Sequence, residues 1–161
     1  MKTFHFLLFA LALLAGTATW EMRADNSKNG KGFIKNQNFI ITDIQENKTK
    51  VTGLKILITG GSRTYYSKTF EVLKGEATLT LTLDELAGLI HDWSNKEITL
   101  FFTDGKILKA KLIIDPLESN YIIGTAIIAD AKVPFKLERQ KIKSIFMDGF
   151  QPPPNYKKLI K

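Results

Sequence analysis

Residues able to do acid–base, nucleophilic or metal chemistry are few in this chain, and they are scattered. There are 161 residues, two histidines and no cysteine. His91 stands beside Asp92, and Ser62, Ser67 and Ser94 are the nearest hydroxyls in sequence. A Ser-His-Asp hydrolase needs a histidine held against a serine on a sharp turn, and none of these serines lies in such a turn. A structural or catalytic zinc site needs several histidine or cysteine ligands. A calcium loop needs clustered acids at loop spacing, and Asp84-Glu85 and Asp115 with Glu118 are too sparse. No pair of carboxylates stands out as flanking a glycosidase cleft. The expectation is no catalytic residue, no metal and no cofactor. A small hydrolase using His91 and nearby acids is the second alternative to the reading reached below.

Binding chemistry is better represented. Tyr65, Tyr66, Trp93 and Tyr121 offer rings for a sugar or peptide platform, although an 11% aromatic share is ordinary and buried rings mostly serve the core. Lys68, Lys106, Lys109, Lys111, Lys132 and Lys136 alternate with apolar residues, so on a sheet they share a solvated face. The candidate binding residues are Tyr65, Tyr66, Trp93, Lys106, Lys109, Lys111, Lys132 and Lys136.

The elements that must position these residues read as strands. Ile98 to Phe102 is an extended run, Thr103-Asp104-Gly105-Lys106 is a turn, and Ile107 to Ile114 returns. Asp-Gly between strand-forming residues is a strong hairpin signal. Phe39 to Ile44 predicts a first strand. Val51 to Thr59 predicts a second, with Gly53 marking a bulge, and Gly60-Gly61 breaks it. Arg63 to Val72 reads as one strand, with Phe70 and Val72 in the core and Tyr66 at its edge. Ala77 to Leu83 alternates leucine and threonine, leucines inward. Asp84 caps a short helix to Ile90, with Leu86, Leu89 and Ile90 on one face. His91-Asp92-Trp93 reads as a surface loop with Trp93 packed back on the core. Tyr121 to Ile128, a turn at Ala129-Asp130, Lys132 to Leu137 and Ile142 to Met147 complete the set. Pro134 has no N–H to give a ladder, so its strand is an edge or is bulged. Edges invite partners, and Lys132 and Lys136 guard this one.

Two stretches repeat one pattern. Thr78 to Leu89 runs alternating strand, acid, spaced apolars; Lys132 to Ile145 does the same at an offset of 54 residues, Leu79 to Val133. A two-strand unit precedes each, with Gly60-Gly61 and Asp104-Gly105 at the turns. This predicts a repeated sheet unit. Glu97 to Ala110, followed by Lys132-Val133-Pro134-Phe135-Lys136-Leu137 and Ile142-Lys143-Ser144-Ile145, resembles small SH3-like and Sm-like β-barrel modules of bacterial proteins. The resemblance covers residues about 97–147. It implies a curled sheet closing as a barrel and carries no function with it.

The predicted fold is all-β: a curled antiparallel sheet or small barrel, with one short helix, built either as one domain of two repeated units or as two small barrels. The expected boundaries are a signal peptide over 1–18, a flexible linker over 19–32, a first β unit over 33–93, a second over 94–149 and a Pro-rich tail over 150–161. Phe4 to Ala15 is almost continuously apolar and Gly16-Thr17-Ala18 supplies small residues for cleavage. That run is short of the about 20 residues a membrane helix needs. Absence of cysteine argues against a disulfide-dense extracellular domain and fits a bacterial periplasmic or secreted protein. The formal net charge of +7 suits contact with anionic lipid, anionic glycan or an acidic protein, or simply aids solubility. Export makes nucleic acid a poor fit. The functional expectation is a non-enzymatic binding or structural protein of the cell envelope acting through a protein partner, with an anionic glycan or lipid binder as the first alternative.

Overall fold

The structure, a computed structural model, describes residues 37–113 and 118–159. The expected signal peptide and linker lie outside the described residues. The protein is all-β. Eleven strands form one antiparallel sheet: β1 Asn38–Asp43, β2 Lys48–Gly60, β3 Arg63–Ser67, β4 Thr69–Lys74, β5 Ala77–Thr82, β6 Leu86–Asp92, β7 Glu97–Phe102, β8 Ile107–Leu112, β9 Glu118–Ile128, β10 Ala131–Glu138 and β11 Ile142–Met147. Their order is β10-β9-β2-β1-β11-β6-β7-β8-β4-β5, with β3 paired to β2 off this path. The sheet does not close. Among the described residues, β10 and β5 each pair on one side only.

Local turn chemistry sets the hairpins. Gly61 and Gly105 sit at φ +55° and +87° in the β2–β3 and β7–β8 turns, a region that costs a side chain but not glycine. Ala129 and Asp130 take φ +46° and +66° between β9 and β10, the geometry of a tight two-residue turn. The bulge expected at Gly53 is present: the β2–β9 register shifts between Thr52 and Lys55. Pro134 lies on the edge strand β10, as its missing donor requires.

Three local readings are corrected. Arg63 to Val72 is not one strand. It breaks at Lys68, because the Ser67 hydroxyl accepts from the Thr69 N–H at 2.9 Å and closes a local bend. β3 then pairs with β2, while β4 pairs with β5 and β8. Tyr66, expected at the core edge, is 66% exposed. The helix expected over Asp84–Ile90 is a single 3-10 turn, Leu83–Glu85, and the chain then enters β6. Leu86 through His91 are all buried. A strand covered on both faces is apolar at successive positions and mimics helical spacing. Among the described residues the longest helical segment is the 3-10 run Pro154–Leu159.

The sheet divides about the β11–β6 pair into two five-strand blocks of the same plan. From that pair outward, one block runs β6-β7-β8-β4-β5 and the other β11-β1-β2-β9-β10. In each, the outermost strand leads through a 3-10 turn, Leu83–Glu85 or Arg139–Lys141, back into the innermost strand. Each turn ends alike, with Leu86 N–H bonded to Leu83 O and Ile142 N–H to Arg139 O. The last residue of each turn accepts a backbone bond from just beyond the adjacent strand: Glu85 O from Thr103 N–H at 3.0 Å, Lys141 O from Ile44 N–H at 2.9 Å. The two innermost strands meet as Ser144↔Ile90, Ile145↔Leu89 and Phe146↔Gly88. Counted from their turns, this register is symmetric about Leu89 and Ile145.

Neither block is continuous in sequence. β1 pairs with β11 and β2 with β9, which carries β10; β7 pairs with β6 and β8 with β4, which carries β5. Each block therefore takes two strands from one part of the chain and three from the other. The main core joins both blocks through Val51, Val72, Leu100, Ile98, Ile41 and Ile142. A second cluster on Ala87, Ile90 and Phe101 is covered by Phe146, Phe150 and Tyr156. There Tyr156 meets Phe101 edge-on at 5.3 Å, so the Pro-rich tail is a strap over this cluster.

Candidate functional site

A cleft of about 370 Å³ opens where β2, β3 and β9 approach β4 and β5. Ile56, Ile58 and Phe70 give it an apolar floor. Tyr65 from β3, Thr80 from β5 and Asn120 from β9 add a ring, a hydroxyl and an amide. Glu71 and Glu118 contribute carboxylates, and Arg139, at the start of the second 3-10 turn, contributes the cation. Strand alternation places these groups: Glu71 and Thr80 are cross-strand partners, as are Ile58 and both Tyr65 and Asn120.

Arg139 is the unusual member. Its Nη2 is enclosed and has no hydrogen-bond acceptor among the described residues. Burial pulls its pKa below the ordinary guanidinium value, but a guanidinium stays charged in a protein. Among the described residues, none of the ion pairs involves it. An enclosed donor without an acceptor costs about 1–3 kcal/mol, more when charged. Native chains rarely keep such a group without a use for it.

The expected site residues do not converge. Tyr65, 48% exposed, lines the cleft. Tyr66 pairs across to Leu57 and points from the opposite side of β3. Trp93 donates its indole N–H to Ile142 O at 2.8 Å and packs on His91 at 4.5 Å between centroids, so it serves the structure. Tyr121 carries the Lys136 ammonium over its ring at 4.1 Å. Lys106 is tied to Asp104 at 2.7 Å at a turn tip, and Lys109 lies 5.7 Å over the Tyr156 ring. Lys111 is exposed on β8, and Lys132 and Lys136 are exposed on β10. Six strands separate β8 from β10 in the sheet order, so the lysines form two groups.

His91 is not on a surface loop. It lies in β6, buried, with Nδ1 3.1 Å from Ile142 O. A carbonyl only accepts, so Nδ1 carries the proton. Burial first, then the nearby Arg139 charge, push its pKa down to about 3, and the ring is neutral at pH 7. Asp92 instead accepts from Asn95 N–H and Nδ2 at 3.1 and 2.8 Å, which holds its pKa low. The imidazole and this carboxylate therefore serve different partners. Asp84 is paired to Lys68 at 2.9 Å, and Asp115 lies outside the described residues. Among the described residues there is no cluster of three metal-ligating side chains and no helix long and apolar enough to cross a membrane.

Sequence reasoning missed Arg139, because one basic residue in a basic chain carries no pattern. The repeat read from sequence, at an offset of 54, sets Arg139 against Glu85; the two 3-10 turns lie 56 residues apart and set it against the buried Leu83 instead. Comparison of the chain with protein-family models, with curated proteins and with solved structures finds no match.

Proposed function

We propose that this is an exported, non-enzymatic binding protein of the bacterial envelope that takes a protein partner by strand addition, with β5 as the receiving edge. The observation that carries this reading is the contrast between the two open edges. β10 bears Lys132, Pro134 and Lys136, the devices by which natural sheets refuse a further strand. β5 reads Ala-Thr-Leu-Thr-Leu-Thr, with no charge and no proline, and among the described residues pairs only with β4. An unguarded edge offers a row of free backbone donors and acceptors to an extended segment. Export rests on the apolar N-terminal run and its small-residue end.

The same reading takes the two blocks as repeats of one SH3-like or Sm-like module. The support is their common strand plan and the 3-10 turn before each innermost strand. In sequence order each repeat supplies five strands, β1, β2, β4, β5, β6 and then β7 to β11, with β3 as an addition to the first.

A photoreactive residue in place of Thr78, exposed on β5, tests the edge in intact cells. The expected result is one dominant protein adduct that persists at high salt, with little from the same label at Val133 on β10. No adduct at Thr78 overturns the edge reading. Capture that weakens steeply as salt rises moves the function to anionic glycan or lipid, because screening acts on charge contacts.

A further inference from the structure

The edge strand β5 carries a symmetry of its own. Thr78-Leu79-Thr80-Leu81-Thr82 reads the same in both directions. The β4–β5 hairpin fixes which of its backbone groups face outward. Leu83 N–H donates to Lys68 O at 2.8 Å, and in an antiparallel ladder bonded pairs alternate with non-bonded ones. Counted along the register from there, Phe70↔Leu81, Val72↔Leu79 and Lys74↔Ala77 are the bonded pairs. Thr78, Thr80 and Thr82 therefore turn their N–H and C=O groups away from β4, toward the open side. Thr78 and Thr80 are exposed and Thr82 is half-buried. On the opposite face, Leu79 and Leu81 are half-buried against the main core.

A strand that completes this edge must offer backbone groups at the same alternate positions and apolar side chains opposite the leucines. A second β5 meets both demands. Turned antiparallel about Thr80, it sets Thr78 against Thr82, Thr80 against Thr80 and Leu79 against Leu81. The threonines then fall in bonded pairs, and the leucines in the non-bonded pairs, where side chains come closer. A register centred on Leu79 would set Thr82 against Glu76, and one centred on Leu81 would set Thr78 against Asp84; both acids lie beyond the strand. With the axis at Thr80, Glu76 comes opposite Asp84, whose charge Lys68 already balances at 2.9 Å. Such a contact is isologous and closes at two copies. Head-to-tail pairing of β5 on β10 would run on into filaments, and Lys132, Pro134 and Lys136 stand in its way. We infer that the partner on β5 is a second copy of this chain, paired antiparallel about a two-fold axis at Thr80. This rests on the reading of β5 as the receiving edge and names its occupant.

The test is sedimentation equilibrium of the mature chain from about 5 μM to about 1 mM, a range suited to a small, exchanging interface. The expected result is a monomer–dimer equilibrium that salt does not weaken, without larger species. T78K with T82K sets like charges opposite each other twice across the axis and should weaken the dimer by about tenfold or more. T78K with T82E sets opposite charges there and should keep the dimer, now weakened by salt. Circular dichroism checks the fold of each. Should either fail to fold, Thr80→Pro removes an N–H that faces away from β4 and should leave a folded monomer. A chain still monomeric at about 1 mM, larger species in place of the dimer, a dimer indifferent to T78K with T82K, or equal losses from the two pairs of substitutions would each overturn the inference. The photoreactive label at Thr78 separates this failure from failure of the edge reading. An adduct to Thr82 of a second copy supports both. An adduct to a different protein keeps the edge and rejects the second copy, and no adduct rejects both.

Discussion

The two blocks of the sheet follow one strand plan and differ in chemistry at the positions where that plan is tightest. After the outer strand, one turn opens with Leu83 and the other with Arg139. Three residues into the inner strands, Gly88 stands against Ser144; six residues in, His91 stands against Met147. The outer strands themselves differ, β5 uncharged and β10 guarded by lysine and proline. The block ending in β5 has the apolar turn and the open edge. The block ending in β10 has the closed edge and the enclosed cation. A shared plan met by different side chains separates what the fold requires from what it merely tolerates: the turn requires its backbone bond, and it tolerates leucine or arginine.

The largest expected effect concerns the exchange of strands between blocks. If each block needs both parts of the chain, cutting the β6–β7 turn at Ser94–Lys96 should not release two folded pieces. A protease site inserted there, once cleaved, should leave fragments that co-elute under native conditions. Separated in urea and returned to buffer alone, each fragment should stay without its sheet as a monomer; mixed, they should regain it. Independent monomeric folding of either fragment, followed by circular dichroism, would break the picture of exchanged strands.

Next comes the pair of turns. Leu83→Arg puts a cation into a core site without acceptors, and the cost should be about 3–5 kcal/mol, as for other buried uncompensated charges. Arg139→Leu should change stability in the opposite direction, by about 1 kcal/mol or more, the size of one unmade buried hydrogen bond. Urea midpoints at constant m-value decide both. Equal losses from the two substitutions would mean that Arg139 is built into the fold, and that the likeness of the turns is superficial.

The inner strands differ in titration. His91 is neutral when folded, its pKa held near 3 by burial and the Arg139 charge, while an unfolded histidine titrates near 6.5. Below that value the unfolded chain binds a proton that the folded chain refuses. Stability present at pH 7 is therefore lost as pH falls from 6.5 toward 3, by up to about 1.4 kcal/mol per pH step. At pH 5 that approaches about 2 kcal/mol. His91→Met, which copies Met147 of the other block, should flatten this part of the pH profile. A profile unchanged by that substitution would place the acid sensitivity elsewhere.

What could be read from the sequence was local. Asp104-Gly105, Gly60-Gly61 and Ala129-Asp130 announce their turns through backbone preference, and Leu79 and Leu81 announce their face through alternation. Pro134 declares an edge because a missing N–H is a property of the residue alone. β6 was hidden because its periodicity vanishes once both faces are covered. The break at Lys68 was hidden because it depends on one hydroxyl bond between Ser67 and Thr69. The exchange of strands between blocks was hidden because pairing partners lie far apart in the chain, and alternation says which face a residue takes but not which strand it meets. Of the candidate site, Tyr65 was recognisable by type. Arg139 becomes visible only when burial is known, or when the two turns are laid over each other.

The smallest effect lies at Gly88 and Ser144, and it tests how literal the symmetry is. In the register Phe101↔Gly88↔Phe146, glycine sits between two aromatic rings. A Cβ there would collide with the Phe146 ring and stand 3.0 Å from Ile145 O, so Gly88→Ala should cost about 1–3 kcal/mol by overpacking. On the other side of the axis, Ser144 faces Ile90 and is fully buried, with a hydroxyl that has no partner. Ser144→Ala removes that hydroxyl without changing the backbone and should stabilise by up to about 1 kcal/mol. Thermal unfolding of the two alanine variants should therefore move Tm in opposite directions. The same downward shift in both would show that the Ser144 hydroxyl has a partner after all, and that the two sides of the β6–β11 axis are packed under the same constraint.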